Sequence, residues 1–243
     1  MTITTGWLSL LAAMLVGCAG APATTASSAP AIEPAASAPA PEALDPVSSP
    51  DWARDMERFA AQDAAAPPPA RPVVFTGSSS IRMWETLADD FPGQPVLNRG
   101  FGGSQVRDAV WYADQVAIRY RPRKILLYAG DNDLNDGRTP EQVLADFRAF
   151  VARVRRDLPG VPIAYISIKP SPSRAHLLSS MRAANAHVRA EAGRTANLEF
   201  IDVFTPMLGA DGQPRPELFL DDRLHMNRAG YELWRGIIAP SLR

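Results

Sequence analysis

Between residues 73 and 203 the apolar positions fall into two alternating rhythms. Short apolar runs at Val73–Thr76, Val96–Asn98, Lys124–Tyr128, Ile163–Ile168 and Leu198–Val203 predict five strands. Between and after them the apolar residues recur at helical spacing. One stripe is Val106, Val110, Ala113, Ala117 and Tyr120, and a second is Val143, Phe147, Phe150, Val151 and Val154. A third is Leu177, Leu178, Met181, Ala184 and Val188, and the last is Tyr231, Trp234, Ile237 and Ile238. Thr139-Pro140-Glu141 supplies an N-cap, a first-turn proline and an early acid for the second of these helices. Asp51 to Gln62 predicts a leading helix with Trp52, Met56 and Phe59 on one face, stopped by Pro67-Pro68-Pro69. These stripes are core-packing surfaces.

Strands alternating with helices at this rhythm imply an α/β fold with a parallel sheet covered on both faces. Right-handed crossovers restrict its topology. In such sheets the functional groups gather beyond the carboxyl ends of the strands.

Composition changes the picture only at the N-terminus. Residues 1–17, MTITTGWLSLLAAMLVG, form an apolar run of signal-peptide length, although no Lys or Arg precedes it. Cys18 is the single cysteine of the 243 residues, so no internal disulfide is expected. Leu15-Val16-Gly17-Cys18 resembles a bacterial lipobox, which implies cleavage before Cys18 and its lipidation. Residues 18–50 are then nearly all Ala, Pro, Ser and Thr. Such a segment buries too little surface to offset its ordering entropy and reads as a disordered tether. One folded domain, residues 51–243, is expected, attached to the cell envelope through lipid or secreted. The net charge of −1 and pI near 6.3 give no sign of a nucleic-acid-binding surface.

The predicted strand ends carry the chemistry. They bear Gly77-Ser78-Ser79-Ser80, Asn98-Arg99-Gly100-Phe101-Gly102-Gly103-Ser104 and Gly130-Asp131-Asn132-Asp133, and the loop before the last helix bears Asp221-Asp222-Arg223-Leu224-His225. Each stretch alone has an ordinary reading: a serine run caps a helix, and a glycine-rich loop makes a tight turn. The glycine loop lacks the spacing for nucleotides. Asp131–Gln142 lacks the glycine and glutamate positions of a calcium loop. Together they supply a hydroxyl, an imidazole with a nearby carboxylate, backbone donors and a side-chain amide, which are the parts for acyl transfer. Serine needs a base to lose its proton, histidine titrates near the working pH, and a carboxylate fixes the histidine tautomer.

On these four blocks the chain resembles the SGNH, or GDSL, hydrolase family from about Arg71 to Ile238. The resemblance implies a three-layer α/β/α sandwich of flavodoxin type with a five-stranded parallel sheet. It implies Ser79 as nucleophile, His225 as general base and Asp222 as its orienting acid. It also implies an oxyanion hole made by the Ser79 and Gly103 backbone N–H groups and the Asn132 amide. The family's aspartate before the nucleophile is Ser78 here, so a hydroxyl or water is expected to replace its hydrogen bonds. An α/β-hydrolase is disfavoured, because Ile81 stands where its last glycine belongs and Asp222 and His225 are three apart. His176 and His187 read as surface or half-buried residues. The expected activity is carboxylic ester hydrolysis with no cofactor and no metal, on a small-molecule, lipid or acylated-carbohydrate ester. Acyl transfer to a sugar and non-catalytic envelope binding stand as alternatives.

Overall fold

A computed structural model describes residues 49–242. Cys18, the signal segment and nearly all of the tether lie outside the described residues. A 3-10 turn, Ser49–Trp52, leads into helix α1 (Ala53–Ala65). Strand β1 (Val73–Gly77) is followed by two single-turn helices, α2 (Ser79–Arg82) and α3 (Leu87–Asp90), and then β2 (Val96–Gly100). Helices α4 (Val106–Trp111) and α5 (Ala113–Val116) lead to β3 (Lys124–Tyr128). Next come α6 (Asp131–Asn135), α7 (Pro140–Asp157) and β4 (Ile163–Ile166). The described chain closes with α8 (Leu178–Arg194), β5 (Leu198–Ile201) and α9 (Arg228–Ile238).

All strand pairs are parallel, in the order β2-β1-β3-β4-β5. Strand residues alternate between two cores. Val74, Ile125, Leu127, Ile163 and Tyr165 face a core shared with α1, α4, α5, α7 and α8. Val73, Phe75, Leu126, Tyr128, Ala164 and Ile166 face a second core with Ile81 and Trp84 and, from α9, Tyr231, Trp234 and Ile238. The result is the expected three-layer α/β/α sandwich. The order reverses between β1 and β3, so the crevice for a ligand opens at the carboxyl ends of those two strands. Gly77-Ser78-Ser79 and Gly130-Asp131-Asn132 begin there.

Three local departures have visible causes. The stripe Val106–Tyr120 is not one helix: the backbone leaves helical geometry at Tyr112 and at Ala117 (φ −144°). Val110, Ala113, Val116, Ala117 and Ile118 still reach one core, so the apolar period survives where the helix does not. Strands β4 and β5 stop two residues early because side chains take over the ladder. Ser167 Oγ accepts from Val203 and Phe204 N–H at 2.9 Å each. The Asn185 amide satisfies both backbone groups of Ile168, at 2.8 and 3.0 Å. The leading helix runs Ala53–Ala65 rather than 51–62, and Trp52 precedes it. Thr139 caps α7 in a reciprocal capping box with Gln142.

Candidate active site

The Gly77-Ser78-Ser79 turn is built by close packing at its first residue. Gly77 has φ +116°, and a Cβ there would lie 1.8 Å from the Tyr128 carbonyl oxygen, so only glycine lets β1 run this close to β3. Ser78 N–H then donates to that carbonyl at 2.9 Å, and Ser78 C=O accepts from Ile81 and Arg82. Ser78 occupies the N-cap position of α2, but its side chain caps nothing. Its Oγ is fully buried and has no hydrogen-bond partner among the described residues. Among the described residues this hydroxyl therefore makes none of the aspartate's expected bonds; backbone bonds hold the turn. With Ser78 and Ser80 turned inward, the half-buried Ser79 is the serine of the three that remains accessible. Helix α2 is a single turn of four residues, so its dipole contributes little.

Ser79 Oγ lies 3.1 Å from His225 Nε2, and His225 Nδ1 lies 2.6 Å from Asp222 Oδ2. The tautomer follows from the partners. A carboxylate only accepts, so Nδ1 carries the proton and Nε2 is free to accept from the serine hydroxyl. The turn is self-bracing: Asp222 Oδ1 accepts from the Leu224 and His225 N–H groups at 2.9 Å each, and Arg223 adopts φ +57° between them. Desolvation pushes the Asp222 carboxyl up. The hydrogen bonds from the His225 ring and from the His225 and Leu224 N–H groups together outweigh it and bring its pKa to about 2. Leu220 N–H donates to the His225 carbonyl, and Asn227 caps α9 through Gly230 N–H. From α9, Tyr231 Oη donates to the Ser80 carbonyl at 3.1 Å, tying this helix to the nucleophile turn.

Asn132 follows β3, the strand that pairs with β1. One N–H of Nδ2 donates to the Ser104 carbonyl at 3.1 Å, and Oδ1 accepts from Arg174 Nη2 at 3.0 Å. One amide N–H is left for a ligand. Gly103 sits exposed at φ +82°, and its backbone N–H has no acceptor among the described residues. Beneath the glycine loop lie buried carboxylates. Asp108 accepts from Gln105 N–H at 2.8 Å and Asp133 from Val106 N–H at 3.0 Å. Burial pushes their pKa values up to about 6 and about 7. Trp52 Nε1 donates to the Gly102 carbonyl at 2.9 Å, while its ring meets Phe101 edge-on. Asn98, at the head of this block, bonds the Ile81 carbonyl and accepts from Gly100 N–H, joining β2 to the nucleophile turn.

The sequence-named blocks thus lie at the carboxyl ends of β1, β2 and β3 and on the turn before α9, with Ser79 in contact with His225; Cys18 lies outside the described residues. A GDSL-like lipase/acylhydrolase family model matches residues 75–233, well over half of the chain. The chain belongs to that family. Solved structures share the GDSL fold. A GDSL-like lipase from Bacteroides thetaiotaomicron is 20% identical with TM-score 0.66, covering 77% of this chain and 96% of the other. A carbohydrate esterase family 3 protein from Talaromyces cellulolyticus is 18% identical with TM-score 0.55, covering 70% and 95%. A mutant acetyl esterase solved with acetate ion is 21% identical with TM-score 0.54, covering 78% and 87%. No curated protein matches the chain. The GDSL family and its esterase neighbours support hydrolysis of ester bonds.

Sequence reasoning missed the supports. Asp131, Lys169 and Arg174 form a buried ion cluster behind Asn132, with Lys169 Nζ and Arg174 Nη1 each 3.1 Å from Asp131 Oδ2. Desolvation would raise the Asp131 pKa, but Lys169 and Arg174 outweigh it and lower it. The one signal was a lysine directly after an apolar strand, in Ile168-Lys169-Pro170, where a solvated charge is not expected. His176 is exposed and His187 half-buried beside Glu141, as read.

Proposed function

We propose that this protein is a serine carboxylic-ester hydrolase working through an acyl-enzyme on Ser79. The observation that carries the reading is the continuous relay Asp222–His225–Ser79, at 2.6 and 3.1 Å, with the Asn132 amide, one N–H unused, following the neighbouring strand β3. His225 Nε2 takes the hydroxyl proton as Ser79 Oγ attacks the ester carbonyl. The oxyanion receives the Ser79 and Gly103 backbone N–H groups and the free N–H of Asn132. Collapse expels the alcohol, which takes the proton from His225, leaving an acyl group on Ser79. Water, deprotonated by His225, then attacks the acyl carbonyl and releases the acid. Asp222 stays ionised throughout and stabilises the imidazolium.

Names among the structural neighbours make acetyl esters the first class to try, beside longer acyl chains. The purified protein should hydrolyse short acyl esters, and Ser79→Ala should lower kcat by roughly a million-fold. An unchanged rate in that variant overturns the assignment. We also propose that lipidation at Cys18 and the segment 18–50 hold the domain at the cell envelope. Cys18→Ala should move the protein from the detergent-extracted membrane fraction to the soluble fraction, and an unaltered distribution contradicts the anchor.

A further inference from the structure

We propose that Arg174 is a positioning residue that acts through Asn132, holding the oxyanion amide in its one productive orientation. The inference rests on the reading of Asn132 as an oxyanion donor. Asn132 presents two chemically opposite ends that a half-turn of its side chain would exchange. In the observed orientation Oδ1 meets the Arg174 guanidinium and Nδ2 meets the Ser104 carbonyl. Reversed, the NH2 group would face a cation that can only donate, and the oxygen would face a carbonyl that can only accept. Two mismatches at once exclude that state. Without Arg174 only the Ser104 bond opposes it.

The guanidinium is itself fixed. Its Nη1 lies 3.1 Å from Asp131 Oδ2, which also meets Lys169 Nζ at 3.1 Å, and Lys169 Nζ lies 3.3 Å from Tyr128 Oη. Lys169 and Asp131 are almost wholly buried, so this base cannot swing into solvent. The Arg174 guanidinium places a fixed positive charge against the oxygen end of the amide that would meet the oxyanion. The backbone is anchored as well: Arg174 N–H donates to the Ser171 carbonyl, and Ser173 N–H donates to the Arg223 carbonyl of the histidine turn at 3.0 Å. The β4–α8 connection therefore touches both the donor side and the base side. Arg174 bonds neither Ser79 nor His225 among the described residues, and its side-chain bond toward the site is the one to Asn132.

A double-mutant cycle on ester hydrolysis tests this. Removing one oxyanion donor costs about 10²–10³ in kcat, the loss expected for Asn132→Ala. Arg174→Met should lower kcat by roughly 10- to 100-fold with KM within about threefold, since the interaction matters only in the transition state. Arg174→Lys, which keeps the charge and loses the planar fork, should fall between. In the Asn132→Ala background Arg174→Met should change kcat less than about twofold. The same loss in both backgrounds, or no loss in the parent, overturns the proposal while leaving Asn132 in place. An Asn132→Ala variant at the parent rate overturns the oxyanion reading and this proposal with it. Should Arg174→Met fail to fold, Arg174→Lys carries the same cycle.

Discussion

His225 and Asp222 stand on an open turn, with the Asp222 side chain 47% exposed, and most of the bonds that shape this turn come from within a few residues, the Ser173 N–H on the Arg223 carbonyl being a distant exception. Asn132 hangs instead from a cluster in which the Asp131 and Lys169 side chains are 3% and 1% exposed and whose members come from two stretches of chain, with 38 residues between Asp131 and Lys169. The two halves of the proposed site are held by different means, and the chemistry proposed for each accounts for the difference. A base must pass protons to alcohol and water, so it needs solvent access and a fixed tautomer. A local turn with a carboxylate supplies both. An oxyanion hole works by not reorganising when charge appears, which calls for donors locked by buried, distant partners.

This contrast can be broken by separating activity from stability. Asp222→Ala should cost roughly 10⁴-fold in kcat while shifting unfolding free energy by no more than about 1 kcal/mol, because an exposed pair stabilises little. Steady-state kinetics beside urea melts would check both; a large loss of stability would show that the open turn is structurally critical after all. Asp131→Ala should behave in the opposite sense. It strands Lys169 without its counter-charge, and a broken buried pair costs about 3–5 kcal/mol. A melt unchanged from the parent would contradict the bracing role assigned to that cluster.

A further effect is read in pH. The Asp133 pKa is raised by burial from 3.8 to about 7 in the folded chain, so the native state holds a proton that the unfolded state has lost. Its stabilising contribution is complete below pH 4 and disappears as pH rises toward 7, at about 1.4 kcal/mol per pH unit for a single group. Asp133→Asn keeps an acceptor for Val106 N–H and cannot ionise. The parent should therefore lose stability relative to this variant between pH 5 and pH 7, as followed by thermal melts. A difference independent of pH would contradict the buried, proton-holding carboxylate under the glycine loop.

The same contrast governs what could be read from the sequence. Asp222 and His225 are three residues apart, and Ser79, Gly103 and Asn132 each sit at a strand end marked by glycine. Local spacing and apolar period therefore carried the sheet, its layers and the blocks at the strand ends. What stayed hidden depends on long-range packing. Nothing in Ser171 to Arg174 announces that its arginine will reach Asn132, 42 residues earlier in the chain. Trp52 reads as one more apolar position of a helix face, yet it ends on the Gly102 carbonyl. The break at Tyr112 is invisible because the apolar stripe continues through it. The serine run is the intermediate case: the block pattern picks out Ser79, but the inward, unpartnered Ser78 hydroxyl depends on how closely β1 approaches β3.

Mass mapping of the site attacked by an organophosphonate ester tests the central claim most directly, because it reads the activated hydroxyl without requiring the natural substrate. The account predicts one adduct per chain, on Ser79, absent from Ser79→Ala and slowed severely in His225→Ala. Labelling at Ser78 or Ser80, or no covalent adduct on the intact protein, would contradict it.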